Sequence, residues 1–160
     1  MFDSAKYQPD SIFTKTTQWL STWGYVIAWA ITIFTLSAQP DLNLPNSLPA
    51  FSDKVAHFSV YGILGWLWAR AIRLRRPKWA TVLVMLSTLA FTGIYGLSDE
   101  WHQLYVHGRS ADLHDALADV YGGTFGGVMF HLWLWFREAN GASASERDLE
   151  RLPDPLDPAA

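Results

Sequence analysis

The chain of 160 residues contains no cysteine. Disulfide bonds, a thiolate nucleophile and cysteine ligands to a metal are therefore excluded, and no redox compartment is indicated. Basic residues are also few: the chain has 12 Lys and Arg and 15 Asp and Glu, which gives a formal net charge of -3 at pH 7. No strongly basic face is present, so we expect no nucleic-acid partner.

Charged residues are missing from two long stretches, residues 16–40 and 79–98. Each is long enough to cross a bilayer, which requires about 20 predominantly apolar residues. Two shorter uncharged stretches, residues 55–69 and 120–136, reach that length together with their polar flanks. The mean hydropathy is only +0.06 because polar ends and loops dilute these segments. The sequence therefore predicts an all-α protein, a four-helix transmembrane bundle.

The predicted helices cover residues 19–38, 53–74, 79–105 and 112–136, so the membrane domain spans residues 19–136. Residues 1–18 form a polar N-terminal segment, a loop rich in Pro and Asn follows the first helix, and the polar tail, residues 137–160, is predicted to be disordered. Residues 36–38 resemble a signal-peptidase site, but the bulky Leu36 and the long apolar region before it favour an uncleaved helix. Trp residues cluster near the helix ends, as is typical of an aromatic belt at the membrane interface.

Basic residues predict the orientation of the bundle. The loop between the second and third helices carries Arg70, Arg73, Arg75, Arg76 and Lys78 without any acid, which predicts a cytoplasmic loop. With four crossings, both termini are then cytoplasmic, and of the 12 Lys and Arg only two lie at the outer face, Lys54 and Arg109.

This topology brings three polar segments, distant in sequence, to the outer face of the membrane. Helical spacing places Asp53, His57 and Tyr61 on one stripe, and gives Asp99 with Gln103, and Asp115 with Asp119, common faces on the later helices. Ionisable side chains in membrane segments tend to face the bundle interior and to pair with one another. We therefore predict a polar cluster of Asp53, Lys54, His57, Tyr61, Asp99, Glu100, Gln103, Arg109, Asp115 and Asp119.

The glycines Gly122, Gly123, Gly126 and Gly127 form two overlapping patterns of small residues four apart on the fourth helix. Such patterns let helix backbones approach closely in membranes, so we predict that these glycines pack against a neighbouring helix.

The polar segments resemble the VanZ-like family of bacterial membrane proteins. The matching motifs are Asp53-Lys54-x-x-His57-Phe58-x-x-Tyr61, Asp99-Glu100-x-x-Gln103, Gly108-Arg109-Ser110 and Asp115-x-x-x-Asp119-x-x-Gly122, in that order. The chain departs from the family pattern at His107, where Pro is common, and at Asp119, where Asn is frequent. The resemblance implies a four-helix protein of the bacterial inner membrane, in a family whose founding member is associated with resistance to the glycopeptide teicoplanin.

Three functions are compatible with the cluster. In the first, Lys54 and Arg109 bind an anionic headgroup of a membrane lipid or a lipid-linked envelope precursor, with Asp53, Tyr61, Asp99, Gln103 and Asp119 in the same binding site. In the second, His57, Glu100 and Asp115 act as general acid and base on lipid headgroups. In the third, the charges only stabilise the outer rim of a structural or assembly subunit, whose protein partner the sequence does not identify.

Three histidines close in sequence, His102, His107 and His114, have acids nearby and offer a conceivable metal site. Their spacing matches no known zinc motif, so we expect neither a metal nor another cofactor.

Overall fold

The computed structural model describes residues 11–40 and 52–150. This part of the chain is helical and forms four helices: α1 (Ser11–Ser37), α2 (Ser52–Arg75), α3 (Thr81–Gln103) and α4 (Leu113–Glu150). The all-α class and the number of helices agree with the prediction. The predicted Pro-rich loop after α1 lies almost entirely outside the described residues.

Two helix ends differ from the prediction. Helix α1 begins at Ser11, so part of the predicted N-terminal segment is helical, and α4 continues to Glu150 through residues predicted to be disordered. The extension of α4 is rich in Ala, Glu and Arg, which have high helix propensity. Polarity therefore does not mark the end of α4.

Helices α2 and α4 pack with their backbones in contact. A Cβ atom added to Gly126 would collide with the backbone carbonyl of Gly62, and one added to Gly122 would collide with that of Phe58. On the other side of α4, a Cβ atom at Gly123 would collide with the side chain of Thr92 on α3. The prediction that the α4 glycines pack against neighbouring helices is confirmed.

Helix α1 packs less closely on the outside of α2 and α3 and is held by two hydrogen bonds to backbone carbonyls. The indole N–H of Trp29 donates to Val60 O at 2.8 Å, and the hydroxyl of Tyr95 donates to Ala30 O at 2.7 Å. These bonds satisfy polar atoms that would otherwise face an apolar environment.

Many large apolar side chains are exposed on the surface of the bundle, whereas several polar side chains are buried inside it. Large apolar side chains such as Ile94 and Leu97 are 70% and 62% exposed, whereas Asp119 and Thr92 are 0% exposed. Two helical segments, Thr16–Ser37 and Thr81–Gln103, are long and apolar enough to cross a membrane.

Candidate functional site

The polar stripe on α2 descends from the surface into the bundle. Asp53 is exposed, His57 is half-buried, and Tyr61 is fully buried. This gradient follows from the spacing of four residues, which keeps the three side chains on one helix face while the helix enters the packed region. Residues from α3, α4 and the connection between them close over that stripe.

His57 and Asp119 form the central pair of the site. His57 Nδ1 lies 2.9 Å from Asp119 Oδ1, and the carboxylate accepts the hydrogen bond. Asp119 fits because the facing position on α3 is Gly96: an added Cβ atom there would lie 2.9 Å from Asp119 Oδ2. The buried carboxylate therefore fixes the orientation of the imidazole ring through this hydrogen bond.

Lys54 is neutralised by two carboxylates of the α4 region. Its Nζ atom lies 2.8 Å from Asp115 Oδ1 and 3.0 Å from Asp112 Oδ2. Asp112 also accepts hydrogen bonds from the backbone N–H and the ring of His114. The backbone N–H of His114, its ring and Lys54, in that order, hold the pKa of Asp112 below its ordinary value. This arrangement caps α4 and ties its first turn to α2.

The end of α3 contributes two buried acids and an amide. Glu100 Oε2 accepts a hydrogen bond from the backbone N–H of Asp112 at 2.8 Å. The side-chain amide of Gln103 donates to Asp99 Oδ2 at 3.4 Å. Asp99, Glu100 and Gln103 are 4%, 6% and 3% exposed, so this end of α3 is buried although it is strongly polar.

Arg109 reaches the site from the connection between α3 and α4. Gly108 before it adopts φ 80°, a left-handed conformation that glycine accepts without steric cost. Arg109 Nε donates to Gln39 O at 3.4 Å, and within residues 11–40 and 52–150 the Arg109 guanidinium forms no ion pair with a carboxylate. Of Lys54 and Arg109, only Arg109 is thus without a carboxylate partner among the described residues.

Arg109 lines a small open groove of about 130 Å³ between α1, α2 and α3. The polar residues along this groove are Ser37, Asp53, His57, Tyr61, Asp99, Gln103 and Arg109. At Asp99 it adjoins a second, largely apolar groove of about 450 Å³, whose walls include Phe34, Trp101 and Tyr105. The polar groove and the apolar groove therefore adjoin each other at one end of the bundle.

Two sets of side chains at this end offer atoms close enough for a metal ion. They are Asp53, His57 and Asp115, and His57, Glu100 and Asp119; within each set one ligand atom per residue lies within 4.8 Å of the others. His102, His107 and His114, the histidines that lie close together in the sequence, belong to neither set among the described residues.

The predicted site residues all lie at this end of the bundle: seven of them form three groups, and Asp53, Tyr61 and Arg109 line the groove. Lys54 pairs with Asp115, His57 with Asp119, and Asp99 with Gln103, while Glu100 lies beside the central pair. The sequence prediction omitted Asp112, which contacts Lys54 and Glu100 and caps α4. Its position as an acid immediately before a helix is the signal that could have identified it.

The sequence matches the family model VanZ/LLP1 over residues 16–135. Comparison with curated proteins and with solved structures gave no match. The family match and the two apolar helices together indicate a membrane location. The chain belongs to the VanZ/LLP1 family.

Proposed function

We propose that all four helices cross the bacterial inner membrane, with both termini in the cytoplasm and the polar site at the outer face. The basic residues at the junction of α2 and α3 support this orientation, because Lys and Arg accumulate in cytoplasmic loops. Helices α2 and α4 are less apolar than α1 and α3, but the acids Asp115 and Asp119 of α4 are buried in the bundle, where such groups are tolerated.

In this orientation the site binds the anionic headgroup of a membrane lipid or of a lipid-linked envelope precursor. The observation that carries the proposal is the placement of Arg109, which is unpaired with any carboxylate of the described residues and lines the polar groove. A guanidinium binds phosphate through two parallel hydrogen bonds. Lys54 contributes less to anion binding than the sequence suggests, because it already forms ion pairs with Asp112 and Asp115.

The acids of the groove narrow the class of headgroup. Asp53 is exposed, lines the same groove as Arg109 and would repel a bare anion, but its carboxylate accepts hydrogen bonds from hydroxyl groups. A headgroup with both phosphate and hydroxyls therefore fits better than phosphate alone. The adjoining apolar groove beside Asp99 provides space for a hydrocarbon chain.

Lipid retention by the purified protein tests this proposal. Native mass spectrometry measures how much phosphatidylglycerol, polyprenyl phosphate or phosphatidylcholine stays bound in detergent, which separates an ordinary lipid from an envelope carrier. We expect Arg109→Ala to reduce retention of the preferred anionic lipid about 10-fold or more, since a charge-assisted hydrogen bond contributes roughly 1.5–3 kcal/mol. Arg109→Lys should retain part of the binding, because it keeps the charge but loses the planar fork.

Arg75→Ala is the matched control, since Arg75 is exposed at the far end of α2. Equal retention by wild type and Arg109→Ala would remove the basis of the proposal. In cells, we propose that the same site contributes to teicoplanin tolerance, so Arg109→Ala at unchanged protein level should lower growth in the antibiotic while Arg75→Ala does not.

A second function, acid and base catalysis on lipid headgroups, is favoured by the His57–Asp119 pair. A buried carboxylate that orients an imidazole beside a groove is the arrangement of a general base. In this alternative Asp119 orients His57, whereas Asp115 is engaged by Lys54. Incubation with radiolabelled phosphatidylglycerol and polyprenyl-linked lipids should then give a product with wild type and none with His57→Gln. Absence of turnover by wild type across both lipids argues for binding alone.

A further inference from the structure

Three side chains from three helices meet beneath the polar groove. His57 comes from α2, Glu100 from the end of α3 and Asp119 from α4. One nitrogen of His57 and one carboxylate oxygen from each acid lie within 4.8 Å of one another. We call these three residues the inner set.

The two acids of the inner set each have one buried oxygen without a hydrogen-bond partner among the described residues, Glu100 Oε1 and Asp119 Oδ2. Glu100 is 6% exposed and Asp119 is 0% exposed, so bulk water does not solvate these oxygens. The other oxygen of each carboxylate is already used, by the backbone N–H of Asp112 and by His57. A buried carboxylate oxygen left in this way is unfavourable, and a cation bound by the inner set would lower that cost.

The balance of charge among the buried groups also favours a bound cation. Four buried acids lie at this end of the bundle, namely Asp99, Glu100, Asp115 and Asp119. Lys54 is shared between Asp115 and Asp112, and Arg109 lies in the groove without a carboxylate partner among the described residues. A divalent ion would offset the charge of the two inner carboxylates, which lowers the cost of burying them close together.

We propose that His57, Glu100 and Asp119 bind a divalent transition-metal ion. One imidazole nitrogen with two carboxylate oxygens suits Zn²⁺ or Mn²⁺ better than Mg²⁺, which prefers oxygen and water ligands. Ligands about 2.1 Å from a tetrahedral ion lie about 3.4 Å apart, so small rotations of the three side chains complete the site. A fourth position is left for water or for an oxygen of a bound headgroup.

The alternative set of Asp53, His57 and Asp115 has comparable spacing but weaker support. Asp53 is exposed to solvent, and Asp115 already pairs with Lys54. The inner set is preferred because its carboxylates are both buried and incompletely paired. His57 belongs to both sets, so only the acids discriminate between them.

The test is a Zn²⁺ titration of the purified full-length protein in detergent after removal of metal with EDTA. Calorimetry gives the affinity, and elemental analysis after desalting gives the stoichiometry. Wild type should bind one Zn²⁺ per chain, and Glu100→Gln should weaken binding at least 10-fold, as should Asp119→Asn. His107→Ala is the histidine control, since His107 is exposed at the same end and belongs to neither set, and it should leave the affinity unchanged.

Asp53→Asn decides between the two sets. The proposal requires this variant to bind Zn²⁺ as wild type does; loss of binding in Asp53→Asn with retention in Glu100→Gln would assign the ion to the alternative set of Asp53, His57 and Asp115. If wild type binds no stoichiometric Zn²⁺, the proposal is wrong.

Thermal melting is the control that shows whether the variants are folded. Zn²⁺ should raise the Tm of wild type, EDTA should reverse the rise, and Glu100→Gln that elutes as wild type should show no rise. Should Asp119→Asn fail to accumulate, Glu100→Gln alone decides the result, because its amide preserves the side-chain volume. No lipid is added in the titration, and Arg109→Ala should bind Zn²⁺ normally, so failure of metal binding and failure of lipid binding are separate results.

Discussion

A single methyl group added at Gly126 perturbs the closest approach between α2 and α4. A Cβ atom there would collide with the backbone carbonyl of Gly62 and would lie 2.9 Å from the backbone N of Trp66. Both neighbours are main-chain atoms of a helix, so no side chain can rotate away. The helices must separate, and the packing along their contact must change with them.

The structure predicts how strongly substitution by Ala destabilises the protein at each of three glycines. An added Cβ atom finds nothing within 4 Å at Gly24, ordinary contact with Gly122 O at 3.5 Å at Gly62, and backbone collisions at Gly126. Overpacking costs about 1–3 kcal/mol, so Gly126→Ala should be destabilising by at least that amount. Gly24→Ala should be neutral or stabilising by up to about 1 kcal/mol, because Ala is the better helix former.

Thermal unfolding in detergent, followed by tryptophan fluorescence, measures this series. A change of 1 kcal/mol corresponds to about 2–4 °C in Tm for a chain of this size. We expect the order Gly24→Ala, then Gly62→Ala, then Gly126→Ala from highest to lowest Tm. If Gly126→Ala melts at or above the Tm of Gly24→Ala, α2 and α4 are not in backbone contact and the described packing is refuted.

Three further predictions concern Lys54, Asp112 and the orientation of the bundle in the membrane. Lys54→Ala should lower the Tm more than Asp112→Asn, since it leaves a buried carboxylate unpaired; equal effects would contradict the described ion pairs. The pKa of Asp112 is depressed by the backbone N–H and ring of His114 and by Lys54, so its stabilising effect is present above the ordinary carboxyl pKa of about 3.9 and is lost at lower pH. The Tm difference between wild type and Asp112→Asn should therefore decrease steadily as the pH falls below about 4, and a difference that does not change with pH would contradict this prediction. Because the chain has no cysteine, Ser110→Cys should react with an impermeant maleimide in intact cells, and Pro77→Cys only after lysis; the reverse pattern would overturn the proposed orientation.

Much of the fold could be predicted because helix periodicity and charge are local properties of the sequence. The stripe of Asp53, His57 and Tyr61 follows from spacing alone, and its increasing burial in the structure agrees with a helix that enters a bundle. The end of α4 could not be predicted in the same way. A polar segment rich in helix formers satisfies its backbone equally well as a helix or in water, so composition does not fix where the helix stops.

That these polar residues lie near one another could be predicted, but the part played by Asp112 and the pairing of the side chains could not. Topology brings three chain segments to one end, yet side-chain reach decides that Lys54 contacts Asp115 and that His57 contacts Asp119. In the sequence, the only indication of a metal site is a group of histidines close along the chain. The structure instead offers ligand sets drawn from separate helices around His57, which no local spacing reveals.

The glycine contact and the acidic site depend on each other. Gly122 packs against the backbone of Phe58, which directly follows His57, and Asp119 lies one turn before Gly122 on α4. The same backbone approach therefore sets the 2.9 Å distance between His57 and Asp119. Mutual repulsion of the buried acids would drive these ends of α2, α3 and α4 apart, and close packing along the glycines opposes it. The proposed cation would lower this repulsion, and its charge would in turn favour the proposed anionic headgroup near Arg109.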